Sequence, residues 1–176
     1  MNTVKKTCWQ LWRGELKQEL CEAVVDASHN LPESDSPKGK IKFISNEYSD
    51  IKNFLWSYVK QANRNAFSFD ITDISETLLI EHNQNNTSAN NFYCDVDWES
   101  TKAYDNKLSI IVQLSDQSAY KGGVLSFEHV KSPTKFQFQK QGSILVFPSY
   151  LNYNISPITE GTRYSLISWF EGPRWR

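Results

Sequence analysis

Histidine is scarce in this chain, with three among 176 residues, at positions 29, 82 and 129. Cysteine is equally rare, and Cys8, Cys21 and Cys94 form no CxxC pair, which excludes a cysteine-based zinc knot and a disulfide framework. No apolar run approaches the length of about 18 residues that a membrane-spanning helix needs, and the N-terminal segment lacks the apolar stretch of a signal peptide. The formal net charge of −1 argues against a general attraction to nucleic acid or to an anionic membrane.

Aromatic residues, in contrast, are abundant. They make up 14% of the chain and include six tryptophans, a composition that suits a sheet-rich core. The length fits one domain with a sizeable buried core, so we predict a single domain over residues 1–176. Composition therefore favours a soluble protein of the cytoplasm or of a virus particle. Its partner would be another protein or a small molecule, rather than nucleic acid or membrane.

Two amphipathic helices precede a series of strands. Apolar residues recur at helical spacing in 15–28 and 49–66, and a polar loop is predicted at 31–40. After residue 70 come short β-rich runs and turn residues, with an asparagine-rich loop at 82–91. The predicted strands are TLLIEH, KLSIIVQLS, GVLSFEHV, KFQFQ, SILVFP and TRYSLISWF. This order predicts an α+β fold in which the N-terminal helices pack on a β-sandwich or jelly roll.

Two stretches carry candidate chemistry. In NFYCDVDWES, residues 91–100, strand alternation would place Asp95 and Asp97 on one face, as metal ligands require, and Cys94 on the other. The later stretch, FPSYLNYNISPITEGTRYSLISWF, is typical of strands around a turn. It places Arg163 and Ser165 two positions apart, and therefore on one face of a strand.

The order of several motifs resembles one enzyme family. KLSIIVQLS, YKGGVLSFE and QKQGSILVFPSYLNYNISPITEGTRYSLISWFEGP resemble the iron- and 2-oxoglutarate-dependent oxygenases of the prolyl 4-hydroxylase type, in their short bacterial and phage forms. Each motif is weak alone, but their order and spacing extend the resemblance from about residue 41 to the end. The resemblance implies a double-stranded β-helix (jelly roll), with Fe(II) and 2-oxoglutarate as the cofactors of the family.

The resemblance also assigns the iron-ligand positions. The family holds iron with H-x-D on one strand and a distal histidine on another, which leaves positions open for the co-substrate. Here the H-x-D position reads Asp95-Val96-Asp97, and the distal position, counted from Phe147 or back from Arg163, is Tyr153. Asp97 keeps the carboxylate of the family, whereas Asp95 and Tyr153 replace both histidines.

This replacement changes the metal chemistry that we expect. Two carboxylates and a phenol are hard oxygen donors, and a phenol with a pKa of about 10 stays protonated at neutral pH. We therefore expect weak or absent Fe(II) binding. One interpretation is a site of modest affinity for Mn²⁺, Mg²⁺ or Ca²⁺. The one we favour makes Asp95 and Asp97 solvated acids at a pocket rim, with Tyr153 filling the position of iron.

Arg163 and Ser165 match the R-x-S motif of the family, whose guanidinium and hydroxyl hold the distal carboxylate of 2-oxoglutarate. Two interpretations stay open: a carboxylate pocket, or a buried ion pair of Arg163 with Asp95 or Asp97. Phe92 stands where relatives often carry a tyrosine that also touches the co-substrate, and its lack of a hydroxyl predicts weaker 2-oxoglutarate binding.

The predicted function follows from this degenerate ligand set. We expect a prolyl 4-hydroxylase-like fold that has lost its iron site and acts as a non-catalytic binding or structural module, with a virus particle as one setting. The alternative is an active 2-oxoglutarate-dependent dioxygenase that hydroxylates a peptide or small molecule with unusual metal ligands. In either case Trp98, Tyr104 and Trp169 are candidates for lining the mouth of the pocket, although aromatic residues at such positions more often belong to the core.

Overall fold

The computed structural model describes residues 7–36, 39–44, 49–85 and 91–176, so part of the predicted asparagine-rich loop and of the predicted loop at 31–40 lies outside the described residues. The helices are α1 (Gln18–Ser28), α2 (Ser49–Ala62) and α3 (Lys135–Phe138), with a π-helical turn at Asn63–Phe67. The strands are β1 (Gln10–Trp12), β2 (Glu33–Ser36), β3 (Gly39–Phe43), β4 (Asp73–Asn83), β5 (Tyr104–Gln113), β6 (Tyr120–Gly122), β7 (Leu125–Phe127), β8 (Ile144–Pro148), β9 (Tyr153–Ile155) and β10 (Ile158–Pro173). None of the helices in these ranges is long and apolar enough to cross a membrane.

The strands form the predicted jelly roll. The large sheet has the antiparallel order β1-β8-β5-β10-β4-β3-β2, and β6 pairs with the first part of β10. A second sheet pairs β7 with β9, and an isolated bridge joins Tyr93 to Tyr153. The long strand β10 pairs with β4, β5 and β6, and therefore links the centre of the large sheet to the smaller sheet.

Strand β5 shows how the sequence divides its side chains between two cores. Leu108 and Ile110 pack in a cluster with α1 and α2, whereas Ile111 belongs to a second cluster between the sheets. Successive side chains of a strand point to opposite faces, so a nearly continuous apolar run buries both. The polar residues Ser109 and Gln113, both 0% exposed, share the inner face with Ile111. The candidate site is built on this inner face.

Both predicted N-terminal helices are confirmed, but the strand predicted at KFQFQ is wrong. Those residues form α3, which begins after a capping box: Gln137 N–H donates to Thr134 Oγ1, and the Gln137 side chain accepts from Thr134 N–H. This reciprocal capping satisfies two backbone donors at the start of a helix and outweighs the alternating pattern.

The loop predicted at 31–40 is also corrected, because it contains β2 and the start of β3. These two strands pair antiparallel, with Glu33 opposite Lys42, and β3 continues the large sheet beside β4. An exposed ion pair of 2.9 Å between Lys40 and Glu33 spans the two strands. The local sequence is polar and predicted a loop, but pairing with the edge of the sheet supplies backbone hydrogen bonds that make the segment a strand.

Candidate functional site

Asp95 and Tyr153 meet inside the roll. The side chain of Tyr153 is fully buried, and its hydroxyl donates to Asp95 Oδ1 at 3.2 Å. Asp95 Oδ2 accepts from Ser109 Oγ at 2.8 Å, and Ser109 Oγ lies 2.9 Å from Ser149 Oγ. The backbone fixes the same arrangement, because Asp95 N–H donates to the Ser149 carbonyl at 2.9 Å. The two residues that the resemblance assigns to the histidine positions are therefore bonded to each other within a network of hydroxyls.

The protonation of Tyr153 supports this arrangement. Burial raises the pKa of Tyr153 well above its ordinary value, and the neighbouring charge of Asp95 raises it further. The phenol therefore stays protonated and donates to the carboxylate. A metal ion at this point would have to displace a proton that the surroundings hold tightly.

Asp97 lies apart from this pair. Its side chain is exposed, Asp97 Oδ1 accepts from Glu99 N–H at 3.2 Å, and its carbonyl accepts from Ser100 N–H at 3.2 Å. The chain turns at 98–99 and forms no strand across 95–97, so the predicted alternation does not set the directions of the two carboxylates. Cys94, expected on the opposite face, lines the same cavity as Asp95 and Asp97.

These donors do not fit an iron centre. Among the residues that the structure describes, no three His, Cys, Asp or Glu side chains are grouped so that they could hold a metal ion. A facial triad requires three donors that converge on one point. Here Tyr153 directs a proton at Asp95, while Asp97 accepts from a backbone amide in a turn.

Arg163 lies on the inner face of β10 and is fully buried. Its Nε donates to Gln113 Oε1 at 2.9 Å, and its Nη1 donates to Ser165 Oγ at 3.5 Å, so Arg163 and Ser165 share a face as predicted. Gln113 is held in turn by donating to the Tyr120 hydroxyl at 3.0 Å. Nη2 of Arg163 is also buried and has no hydrogen-bond partner among the described residues.

No carboxylate of the described residues neutralises this guanidinium. The ion pairs found there do not include Arg163, so the pairing with Asp95 or Asp97 that we considered is not formed. Burial lowers the pKa of Arg163, and the nearby phenol of Tyr120 acts in the opposite direction. A buried charge without a counter-charge is costly, and a carboxylate matches the fork of a guanidinium. One donor of the guanidinium, Nη2–H, therefore has no acceptor among the described residues.

A glycine makes room for this arginine. Gly123 has a φ of +61°, and a Cβ at this position would lie 2.8 Å from Ile158 Cδ1 and 3.0 Å from Arg163 Cδ. The second glycine of the Gly122-Gly123 pair is therefore required by backbone conformation and by the space that the guanidinium stem occupies.

The aromatic residue of the site is not the one expected. Phe92 is 44% exposed, whereas its neighbour Tyr93 packs on Tyr153 with 4.6 Å between ring centroids. The backbone N–H and carbonyl of Tyr93 also pair with those of Tyr153. A tyrosine thus stands beside the site, one position later than the residue that we assigned to co-substrate binding.

A cavity of about 340 Å³ opens beside Asp95 and Asp97. Tyr104 and Trp169 line it, and Trp169 also belongs to the core cluster between the sheets, whereas Trp98 is 59% exposed and is not part of the lining. Its charged lining consists of Glu76, Asp95, Asp97, Asp105, Glu171 and Lys102. Tyr153 and Arg163 are not among the lining residues of this cavity.

Three residues that were not predicted as part of the site hold Arg163 and Asp95 in place: Gln113, Ser109 and Ser149. A signal was present, because each is a polar residue in or beside an otherwise apolar strand, within KLSIIVQLS or SILVFPS. A polar side chain that must be buried needs a partner, and such positions therefore point to a network.

Comparison by sequence gives partial matches. No family model matches the chain. A PKHD-type hydroxylase of Prochlorococcus marinus is 33% identical over 64 residues, which cover 36% of this chain and 28% of that protein. A PKHD-type hydroxylase of Idiomarina loihiensis is 31% identical over 64 residues, which cover 29% of that protein. The match thus spans less than a third of the length of these curated relatives.

Comparison by structure covers nearly the whole chain. The viral collagen prolyl hydroxylase of Paramecium Bursaria Chlorella virus-1 has a TM-score of 0.72 at 13% identity, over 99% of this chain and 96% of that one. A prolyl-4-hydroxylase of Pseudomonas putida has a TM-score of 0.68 at 18% identity, over 96% of this chain and 94% of that one. At such low identities the likeness shows the fold alone. The chain has the jelly roll of the prolyl hydroxylases.

Proposed function

We propose that this chain is a prolyl hydroxylase-like protein that has lost iron-dependent catalysis and acts as a non-catalytic module that binds a carboxylate ligand. The observation that carries the proposal is the hydrogen bond of 3.2 Å from the buried Tyr153 hydroxyl to Asp95. It joins the two residues that stand where the family places its histidine ligands. The cytoplasm and the virus particle, both inferred from the sequence, stay predictions.

The loss of the iron site is supported by all three ligand positions. Tyr153 is a protonated donor whose pKa is raised by burial, Asp95 is engaged by Tyr153 and Ser109, and Asp97 is exposed in a turn. Fe(II) in such enzymes is held by imidazole nitrogens as well as a carboxylate. Iron binding here would require the phenol to lose its proton and two carboxylates to reorient.

Support for a carboxylate ligand comes from Arg163. The guanidinium is fully buried, is oriented by Gln113 and Ser165, and keeps Nη2 without a partner among the described residues. Guanidinium–carboxylate pairs are short, charge-assisted and often bidentate. A solved structure of the chlorella virus hydroxylase is described as a 2OG complex, which makes 2-oxoglutarate the first carboxylate to test.

Succinate release under aerobic conditions, with Fe(II) and 2-oxoglutarate supplied, tests the loss of catalysis. We expect no release above background and no stoichiometric iron after purification, because no imidazole occupies a ligand position. The double variant Asp95→His with Tyr153→His is the matched control, since it places imidazoles at the two positions that the resemblance assigns to histidine. Robust succinate release by the unaltered protein would refute the proposal and favour the alternative, an active dioxygenase with unusual ligands.

A further inference from the structure

A second cavity, here named the Lys107 cavity, shares no lining residue with the cavity at Asp95. It has a volume of about 450 Å³ and lies where the segment after the π-helical turn meets the end of β10. Its lining consists of Ser68, Phe69, Asp70, Lys107, Pro173, Arg174, Trp175 and Arg176. The volume is within the range of about 300–1,000 Å³ that is typical of small-molecule sites.

Lys107 is the residue that distinguishes this cavity. It belongs to β5 and is only 5% exposed, and its ammonium lies 3.7 Å from the ring centroid of Trp175. Among the residues that the structure describes, its side chain forms no ion pair and no hydrogen bond. Burial lowers the pKa of Lys107, against the opposing charges of Asp105 and Asp70. The ammonium stands on the cavity wall beside the Trp175 ring, and its N–H donors are available to a ligand in the cavity.

The charge of the lining is a second feature of this cavity. The lining holds three cations, Lys107, Arg174 and Arg176, and one acid, Asp70. A second acid, Asp105, lies near Lys107 and accepts from the Trp175 N–H. Arg174 donates from Nη2 to the Ser100 carbonyl at 3.1 Å, so Lys107 and Arg176 are the cations without a hydrogen bond in this lining. Two cations of the lining are therefore available to an anionic ligand.

Flat aromatic surfaces complete the lining. Phe69 and Trp175 meet edge to face, with 5.0 Å between ring centroids. Trp175 is held by two hydrogen bonds: its backbone N–H donates to Asp105 Oδ2 at 2.7 Å, and its Nε1–H donates to the Asn106 carbonyl at 3.3 Å. A fixed indole beside a cation suits a ligand that has both an anionic group and a planar body.

The neighbouring cavity extends the same chemistry. It shares Phe69, Asp70 and Pro173 with the Lys107 cavity and adds Trp56 and Lys60. Lys60 Nζ lies 5.1 Å from the centroid of the Trp56 ring, so a cation again accompanies an aromatic face. A planar ligand anchored at Lys107 therefore has an aromatic-lined path along which its body can extend.

We propose that the Lys107 cavity binds a small organic anion. Its carboxylate, sulfonate or phosphate group pairs with Lys107 and Arg176, and its planar body lies along Phe69 and Trp175. The anion accepts a hydrogen bond from the Lys107 ammonium, which has no hydrogen-bond acceptor among the described residues. This inference does not depend on the Arg163 site, because the two sites have no residue in common.

A fluorescent pair of probes tests it with the intact chain. Anilinonaphthalene sulfonate is a planar anion, and N-phenyl-1-naphthylamine is its uncharged counterpart. We expect saturable binding of the sulfonate, weakened about tenfold or more by Lys107→Met, as befits a lost charge-assisted hydrogen bond. The same substitution should leave the affinity for the uncharged probe within about twofold, because methionine keeps the apolar stem. Lys131→Met, at an exposed lysine outside the cavity, is the matched control and should bind like the parent protein.

A further variant keeps the test decisive if Lys107→Met does not fold. Arg176 is exposed, so Arg176→Gln leaves the core intact and should weaken the sulfonate several-fold. Competition by adenosine monophosphate or by benzoate then identifies a phosphate or a carboxylate as the preferred anion. Equal sulfonate affinity in the parent, Lys107→Met and Arg176→Gln proteins, or the absence of saturable binding, would overturn the inference.

Discussion

Substituting phenylalanine for Tyr153 removes one hydroxyl and leaves the ring in place. The lost interaction is the donation to Asp95 Oδ1 at 3.2 Å, between two buried side chains. The packing of the ring on Tyr93 and Phe147, at centroid distances of 4.6 and 5.1 Å, should persist. Asp95 would keep its hydrogen bond from Ser109 at 2.8 Å, so the carboxylate loses one donor rather than all of them.

The expected loss of stability follows from these contacts. A hydrogen bond to a charged group contributes about 1.5–3 kcal/mol, and the distance of 3.2 Å exceeds the usual O–H···O distance, which places this bond at the lower end. We therefore expect the free energy of unfolding to fall by about 1.5 kcal/mol and the melting temperature by roughly 3–6 °C in a chain of this size.

Urea unfolding followed by tryptophan fluorescence measures the effect as a lower midpoint at an unchanged slope. The matched control is Tyr150→Phe, since Tyr150 is 40% exposed. Its free energy of unfolding should differ from that of the parent by less than about 0.5 kcal/mol. A Tyr153→Phe protein as stable as the parent would show that the hydroxyl does not donate to Asp95, and the proposed replacement of the iron site would lose its basis.

Three other predictions concern the same buried site. The pKa of Tyr153 in the folded chain is raised from its ordinary value of 10.0, so the unfolded chain loses the phenol proton at a lower pH than the folded chain does. The stability advantage of the parent over Tyr153→Phe should therefore be complete below about pH 10 and should shrink above it. Urea titrations at a series of pH values measure this change. The double variant Asp95→His with Tyr153→His should bind Fe(II) at least about tenfold more tightly than the parent in anaerobic titrations, whereas each single variant gains little. Gly123→Ala should weaken carboxylate binding in calorimetry and lower stability by about 1–2 kcal/mol, because a Cβ would press on Arg163 at 3.0 Å in a left-handed backbone conformation.

Periodic hydrophobicity was sufficient to predict much of the fold. The strand KLSIIVQLS is buried on both faces, because Leu108 packs in one core cluster and Ile111 in the other. A nearly continuous apolar run of this kind is typical of such a strand. Local sequence failed where non-local or capping interactions decide. The polar segment after Gly39 forms a strand because it pairs with β4. The segment KFQFQ, whose apolar and polar residues alternate, forms a helix because Thr134 caps its start.

The candidate site was predictable in position but not in geometry. The spacing of the motifs locates Asp95, Tyr153 and Arg163, and the structure brings the first two into contact. The direction of Asp97 was not predictable, because it depends on a turn in which the Glu99 N–H donates to that carboxylate. Nor does sequence show that the Arg163 guanidinium lacks an acid, since that depends on which neighbours the folded chain supplies.

The most direct test of a carboxylate site that works without iron is calorimetric titration of 2-oxoglutarate into the intact chain. One titration is carried out in EDTA, and a second is carried out anaerobically with Fe(II). We predict saturable binding with the same Kd in both conditions, weakened at least about tenfold by Arg163→Gln and less by the milder Ser165→Ala. Binding that appears only when Fe(II) is present, or no binding in either condition, would contradict the proposed function.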